Sequence, residues 1–434
     1  MKRKFVVLAI EMLMVLVPAV VTAAMGAGRN TTHAYTAGYQ TLLSDTAFLP
    51  LIFNQALGDS SAFLETFSGT PSNPQPWQPS HWDVTVHSRN WNYTDTLTPM
   101  HADHGTACDA PPANHLVNTF EASVFLCRDH MMTGILDGGY GVIYLTPDAM
   151  VDFSSGTAVI RFDVSTQRNS GRDWIDVWVT PYEDNLQLPL DSWLPDLNGP
   201  PRRAIHIRMD FVRTNTTYRA DVISDFDPDS VGQVGWQGYE TFLTPSATRR
   251  DTFELRISQD HIEFGMPEYD FWWIDHDIPN LDWSQGVVQF GHHSYDPEKD
   301  CGYNGTCGPS TWHWDNVLIS PAVDFTIIRA NQRYVNAGTG PSVSLAVPAP
   351  AGAHLRFAGI GHSLEVSFDG GGSWEPAQVQ DQLHHFEDHF QSYWMPIPAG
   401  VSQVRFRGQG WYGGGWQVRD ISVWAPPSTA ASQQ

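Results

Sequence analysis

Trp174, Asp176 and Trp178 are the residues whose types and spacing could do chemistry. They lie in Arg172-Asp173-Trp174-Ile175-Asp176-Val177-Trp178-Val179, where Ile175, Val177 and Val179 take the intervening positions. This alternation predicts a β-strand with one aliphatic face and one face carrying a carboxylate between two indoles. A carboxylate without a partner is costly inside a protein, so the second face is expected to open onto water. Flat aromatics beside a bidentate acceptor suit sugars, which present apolar C–H faces fringed by hydroxyls. The competing expectation is that the two indoles fill the second layer of a sandwich.

Further polar groups could join this face. His206, Arg208 and Asp210 alternate along the next long strand. Gln289 and the run Gly291-His292-His293-Ser294-Tyr295 would rim the same cavity if these strands are neighbours. The candidate ligand-binding set is therefore Trp174, Asp176, Trp178, His206, Arg208, Gln289, His292, His293 and Tyr295. Glu121, Glu263, Asp275 and Asp277 are further acids that hydrolysis could use, although such acids are commonly solvated loop charges. No zincin motif and no helical His-x3-His pair occurs among the 18 His, so catalytic zinc is not expected. Gly370-Gly371-Gly372 reads as a turn between strands rather than a phosphate loop. No Gly-x-Ser-x-Gly elbow appears.

The elements that must position these residues are short alternating segments broken by Gly, Pro and Asn. Strands are predicted at Ala158–Val164, Trp174–Thr180, Ala204–Phe211, Thr217–Ile223, Thr252–Ile257 and Gly286–Phe290, with Trp312–Ile319 closing the unit. A second unit has predicted strands at Thr326–Arg329, Ser342–Val347, His354–Phe357, Leu364–Phe368 and Gln403–Phe406, and closes on Trp416–Trp424. Phe368-Asp369-Gly370-Gly371-Gly372-Ser373-Trp374 is a Gly-rich hairpin turn. Helical periodicity is scarce, so the expected class is all-β, as two successive sandwiches or jelly rolls. The expected boundaries are a signal peptide at 1–23, a linker at 24–61, a larger sandwich at 62–322, a smaller one at 323–426 and a disordered tail at 427–434.

Lys2, Arg3 and Lys4 precede an apolar run from Phe5 to Val21, and Val21-Thr22-Ala23 fits a small-residue cleavage site. This is the pattern of a secretory signal peptide, interrupted by Glu11; an uncleaved anchor is the alternative. No other segment is apolar enough to span a bilayer, so no membrane insertion is expected after cleavage. The remaining chain would carry 21 basic and 46 acidic side chains, a balance of −25, which disfavours nucleic acid and anionic lipid as partners. Lys299 would be its only lysine, which all but excludes Schiff-base chemistry. Cys108, Cys127, Cys301 and Cys307 fit an oxidising compartment. Local pairing, 108–127 and 301–307, is the choice among three connectivities; four thiolates on zinc is weaker because no Cys-x2-Cys spacing occurs. Asn30, Asn92, Asn215 and Asn304 head Asn-x-Thr sequons.

From Phe63-Leu64-Glu65-Thr66-Phe67-Ser68-Gly69 to Trp312–Ile319, roughly 260 residues, the chain resembles the concanavalin A-like lectin and glucanase sandwiches. The second unit resembles a jelly-roll carbohydrate-binding module. Laminarinase-type glucanases of this superfamily carry Glu-x-Asp followed by a second Glu on one strand. Asp176 matches the middle acid, Trp174 stands at the nucleophile position, and Trp178 and Val179 stand where the acid/base Glu would be. The resemblance thus implies a glucanase-like frame without its catalytic pair. It also implies a structural Ca²⁺ joining the opening and closing strands, with Glu65, the backbone of Gly69 and Asp315 as ligands. The expected function is recognition of a polysaccharide or surface glycan by a secreted, non-catalytic protein. A glycoside hydrolase or polysaccharide lyase with acids at other positions, and a structural surface or adhesion protein, are the alternatives.

Overall fold

Period-two alternation builds extended strands, and among the described residues the strands assemble into four sheets. The computed structural model describes residues 61–67, 81–88, 91–92, 122–126, 130–135, 141–168, 173–187, 203–212, 215–223, 232–240, 250–278, 280–294, 310–331, 334–336, 341–377, 391–409 and 415–426. The proposed leader and tail, Glu121, the four cysteines, Gly69 and Tyr295 lie outside these residues, as does the linker but for Ser61.

Two nine-stranded sheets form the larger sandwich. The first runs in the order Phe271–Asp277, His261–Met266, Asp251–Ile257, Ala158–Arg168, Ser310–Ser320, Met131–Ile135, Ala122–Leu126, Trp91–Asn92, with Phe63–Glu65 also on Ser310–Ser320. The second runs Gly232–Glu240, Asn215–Ile223, Ala204–Val212, Asp173–Thr180, Gln285–Ser294, Gly141–Pro147, Trp82–Ser88. Ala149–Asp152 extends it by pairing with both Gln285–Ser294 and Ala322–Asp324. The central ladders are antiparallel, while Trp91–Asn92 and Ala122–Leu126 pair in parallel.

The aliphatic faces close on each other. Ile175, Val177, Val179, Ile205, Ile207 and Phe290 of the second sheet share one core with Phe162, Phe253, Phe264 and Trp314 of the first. Phe162 meets Phe290 edge-on at 5.4 Å, and Phe290 meets Trp314 at 6.0 Å. Burying such rings contributes about 1.5–3 kcal/mol each, which is why the alternation decides the fold. One strand departs from it. Phe271–Asp277 opens on three successive aromatics, Phe271-Trp272-Trp273, and a bulge opposite Phe264 and Gly265 shifts the register there. Trp273 consequently turns inward against Phe253 and Phe264, while its neighbour Trp272 lies under the Arg256 guanidinium.

The smaller sandwich pairs Thr326–Arg329, Gln417–Ala425, His354–Ile360 and Gln391–Pro396, with Tyr334–Asn336 also on Gln417–Ala425. Facing it are Ser342–Ser344, Gln403–Gln409, His362–Ser367 and Glu375–Pro376. Leu355, Phe357, Val366, Tyr393, Phe406 and Val418 fill its core. The Gly-rich turn forms between the strands ending at Ser367 and beginning at Glu375. Gly370 and Gly371 take φ of 77° and 100°, and Asp369 accepts from Ser373 N and Ser367 Oγ. The segment expected at Ser342–Val347 stops at Ser344. Beyond it Leu345 makes an isolated bridge to Ala330, and Val347 is exposed.

The chain passes from the second sheet to the smaller sandwich at Phe325, between Ala322–Asp324 and Thr326–Arg329. Phe325 joins Met150, Tyr182, Val287, Trp394 and Trp424 in a third apolar cluster between the sandwiches. Polar contacts reinforce it. Asp83 Oδ2 accepts from Ser422 Oγ and Trp424 Nε1, both at 2.7 Å. The Tyr182 hydroxyl donates to the Trp424 carbonyl at 2.9 Å. The Arg356 guanidinium lies 3.7 Å above the Trp424 ring.

Candidate functional site

The central strand of the second sheet, Asp173–Thr180, carries the expected Trp-Asp-Trp face between Ala204–Val212 and Gln285–Ser294. Its register sets Asp176 opposite Arg208 on one side and Gly291 on the other. Trp178 faces His206 and Gln289, and Trp174 faces Asp210 and His293. Backbone pairing thus brings Trp174, Asp176, Trp178, His206, Arg208, Gln289 and His293 onto one face, from strands that are 30 to more than 100 residues apart in the sequence.

That face does not open onto water. Asp176 is 0% exposed, Trp178 2% and Trp174 4%, so the expectation of a solvated groove is corrected. The reason is that the acid has found partners. Asp176 Oδ2 accepts from Trp178 Nε1 at 3.0 Å and lies 3.1 Å from His206 Nε2. His293 Nε2 is 2.9 Å from the same oxygen, without hydrogen-bond geometry. Burial alone would raise the Asp176 carboxyl. The imidazoles of His293 and His206 outweigh it and hold the group well below the usual carboxylate range.

The rings form stacked pairs around this anion. His206 stacks on Trp178 with centroids 3.8 Å apart, and His293 stacks on Trp174 at 5.1 Å. The Arg208 guanidinium covers the other indole contact, 4.6 Å from the Trp174 ring. Tyr144 meets His293 edge-on at 5.5 Å. Gln289 Nε2 donates to Thr146 Oγ1 at 3.0 Å.

His292 takes a different place from the one expected. Adjacent residues on a strand point to opposite faces, so His292 enters the space between the sheets while His293 joins the Asp176 face. His292 Nδ1 lies 2.9 Å from Thr133 Oγ1, which also accepts from Trp314 Nε1, and the imidazole packs edge-on to Trp312. It is a buried structural histidine and not part of a cavity rim.

Gly291, expected only as part of the run rimming the cavity, has a role that the sequence reading did not assign. A Cβ there would stand 1.9 Å from Asp176 Oδ1 and 2.8 Å from His293 Nε2. The carboxylate therefore lies directly on the backbone of this glycine. The available signal was a lone Gly inside a strand, which marks close approach of another group.

The acids weighed for hydrolysis are elsewhere. Glu263, Asp275 and Asp277 belong to the two strands at one edge of the first sheet, with Glu263 directly opposite Asp275 and His261 opposite Asp277. None of the three is in the sheet that holds Asp176. The residues matched to a calcium site have other partners. Glu65 accepts from Phe67 N at 2.7 Å and from Trp82 Nε1 at 3.3 Å. Asp315 Oδ2 accepts from Arg250 at 3.1 Å, and its Oδ1 from Asn316 N at 2.8 Å, where Asn316 adopts φ 47° at a bulge. These donors hold the two carboxylates in the described residues, and Gly69, the third group of the expected Ca²⁺ set, lies outside them.

Chemically, the Asp176 assembly can hold charge and orient rings. A carboxyl held below the usual carboxylate range is ionised near neutral pH and has no proton to donate, and a fully covered one cannot attack a substrate. The chain matches no protein-family model and no curated protein sequence. Solved structures similar to it include a beta-glucanase of Bacillus licheniformis, at 11% identity and TM-score 0.33 over 60% of this chain and 99% of that chain. LamAcat from Zobellia galactanivorans is similar at 11% identity and TM-score 0.37, over 61% and 98%. The Emp47p carbohydrate recognition domain is similar at 8% identity and TM-score 0.35, over 61% and 97%. At these identities and scores the likeness assigns neither a family nor an activity to this chain.

Proposed function

We propose that this protein is a secreted, non-catalytic carbohydrate-binding protein that recognises a polysaccharide or surface glycan. One observation carries the non-catalytic part. The strand matched to a glucanase catalytic strand offers Trp174, Asp176 and Trp178, and its single acid is fully covered and held between two imidazoles and an indole. Glycoside hydrolysis needs two carboxyl groups facing each other across the bond, one protonated. The carbohydrate part rests on composition. The chain is strongly acidic, poor in lysine and rich in Trp, and the sequence at its start has the pattern of a secretory leader. Uncharged polysaccharides suit such a chain better than nucleic acid or anionic lipid do.

The experiment is paired. Reducing-sugar release is measured on β-glucans, galactans and xylans, and retention on the same polymers is measured by affinity electrophoresis. Retention on at least one polymer without turnover is expected. Steady product release that disappears in Asp176→Asn would overturn the reading, as would the absence of retention on every polymer and on a glycan array.

A further inference from the structure

The polar side of the first sheet carries a second constellation, distinct from the Asp176 assembly and independent of the carbohydrate reading. His261-x-Glu263 and Asp275-x-Asp277 each repeat with a period of two, on adjacent antiparallel strands. Directly opposed pairs, His261 with Asp277 and Glu263 with Asp275, set all four side chains on one side of a two-strand ladder. Ile262 and Phe264, between and beyond the first two, point into the core and anchor the ladder.

The distances have a definite chemistry. His261 Nε2 lies 3.2 Å from Asp275 Oδ1 and 3.8 Å from Glu263 Oε1, and one ligand atom from each of the three residues falls within 4.8 Å of the others. In a tetrahedral zinc site with bonds of about 2.1 Å, ligand atoms stand about 3.4 Å apart. The fourth residue orients the first. Asp277 Oδ1 is 2.8 Å from His261 Nδ1; in the tautomer with its proton on Nδ1, Nε2 is the ligand atom that faces Glu263 and Asp275. A carboxylate on the far nitrogen is the usual companion of a metal-binding histidine. Arg256 fixes the other side of the group. Its Nη1 donates to Glu263 Oε2 at 2.8 Å, which leaves Oε1 facing the imidazole. Arg256 is itself seated over Trp272 at 4.1 Å.

We propose that His261 Nε2, Glu263 and Asp275 form a binding site for a divalent transition-metal ion, with Asp277 as the positioning residue for His261 and a fourth position left to water. One imidazole with two carboxylates favours zinc or a neighbouring first-row ion over calcium, which prefers six to eight oxygens. The ion would tie the outermost strand, Phe271–Asp277, to the rest of the first sheet. Among the described residues that strand has one neighbour in the sheet order, so the ion would reinforce its single ladder.

The test uses the full chain, stripped with a chelator and titrated with zinc against a chromophoric competitor. One zinc equivalent should bind at micromolar concentrations or better. His261→Gln and Asp275→Asn should each weaken it by tenfold or more, about the effect of losing a second-layer group or a ligand. Asp277→Asn should weaken it by about tenfold, whereas His276→Gln, between the two acids in sequence, should leave it unchanged. Circular dichroism confirms that each variant is folded. As a readout independent of mutation, zinc should slow amide exchange in 271–277 of the wild type, and magnesium should not. Equal zinc affinity in wild type and His261→Gln, loss of binding in His276→Gln, or no zinc bound at micromolar concentration would each overturn the assignment.

Discussion

Gly291→Ala should be among the most disruptive single-methyl additions in the larger sandwich. The added Cβ would lie 1.9 Å from Asp176 Oδ1, so the carboxylate must retreat by more than about 1 Å to reach ordinary contact. It has little room to do so, being 0% exposed and bound through its other oxygen to Trp178 Nε1 and His206 Nε2. Overpacking of a tight interior costs about 1–3 kcal/mol, and weakening hydrogen bonds to a buried charge adds about 1.5–3 kcal/mol. A destabilisation of about 3–5 kcal/mol follows, seen as a fall of about 5 °C or more in Tm and a lower urea midpoint by near-ultraviolet circular dichroism. The double variant isolates the cause. In an Asp176→Ala background the clashing oxygen is gone, and what remains are His293 Nε2 at 2.8 Å and Tyr144 Cε1 at 2.9 Å, the far ends of side chains. The added cost of Gly291→Ala should then drop to about 1 kcal/mol. An equal cost in both backgrounds, or no cost in the wild type, would refute the claim that the carboxylate rests on this glycine.

Other consequences can be measured. Trp178→Ala, in view of the burial of Trp178 and its stacking on His206, should cost about 3–5 kcal/mol of stability rather than selectively weakening ligand binding; an Ala variant with wild-type Tm would contradict this. Burial pushes the Asp315 carboxyl up to about 7, with Arg250 opposing, from an ordinary value of 3.8. The folded state therefore keeps a proton between about pH 4 and 7 that the unfolded state has lost, and this residue's contribution to stability falls as pH rises through that window. Asp315→Asn should lose less stability between pH 5 and pH 8 than the wild type does, and parallel urea curves would count against it. Asp83→Ala removes the acceptor of Ser422 Oγ and Trp424 Nε1, at a cost of about 3 kcal/mol. Calorimetry should show a single wild-type transition splitting in two, and an unchanged profile would argue that the contact contributes nothing.

The fold was legible wherever one face of a strand is aliphatic. Ile175, Val177 and Val179, or Phe253, Leu255 and Ile257, announce both a strand and its buried side, and the all-β class with two successive sandwiches follows from such runs. Legibility failed where a bulge breaks the period, as opposite Phe264 and Gly265, since a one-residue slip there sets three aromatics, Phe271-Trp272-Trp273, in a row. The site was half legible. The grouping of Trp174, Asp176 and Trp178 with His206 and Arg208 needed only alternation and the adjacency of two strands. Whether the group meets water depends on partners that sequence order does not reveal. His293 reaches Asp176 from 117 positions away, and the identity of such partners decides whether a buried carboxylate is tolerable. The confusion of His292 with His293 was avoidable, because neighbours on a strand cannot share a face. His261 with Asp277, by contrast, becomes visible only once the register of the hairpin is known.

The seam at Phe325 has a consequence for anyone dividing this protein. A fragment ended near residue 322 would bare Met150, Tyr182 and Val287, and would leave the carboxylate of Asp83 facing solvent in place of Ser422 and Trp424. The complementary fragment would bare Trp394 and Trp424 beside the guanidinium of Arg356, which is 3% exposed in the intact chain. Each half would carry a sticky apolar facet of the kind that drives aggregation. The two sandwiches are successive in sequence but are not interchangeable cassettes. Expression, crystallisation or grafting of either one calls for redesign of its cut face, and a transplanted C-terminal sandwich would need a host surface that supplies an acceptor where Asp83 stands.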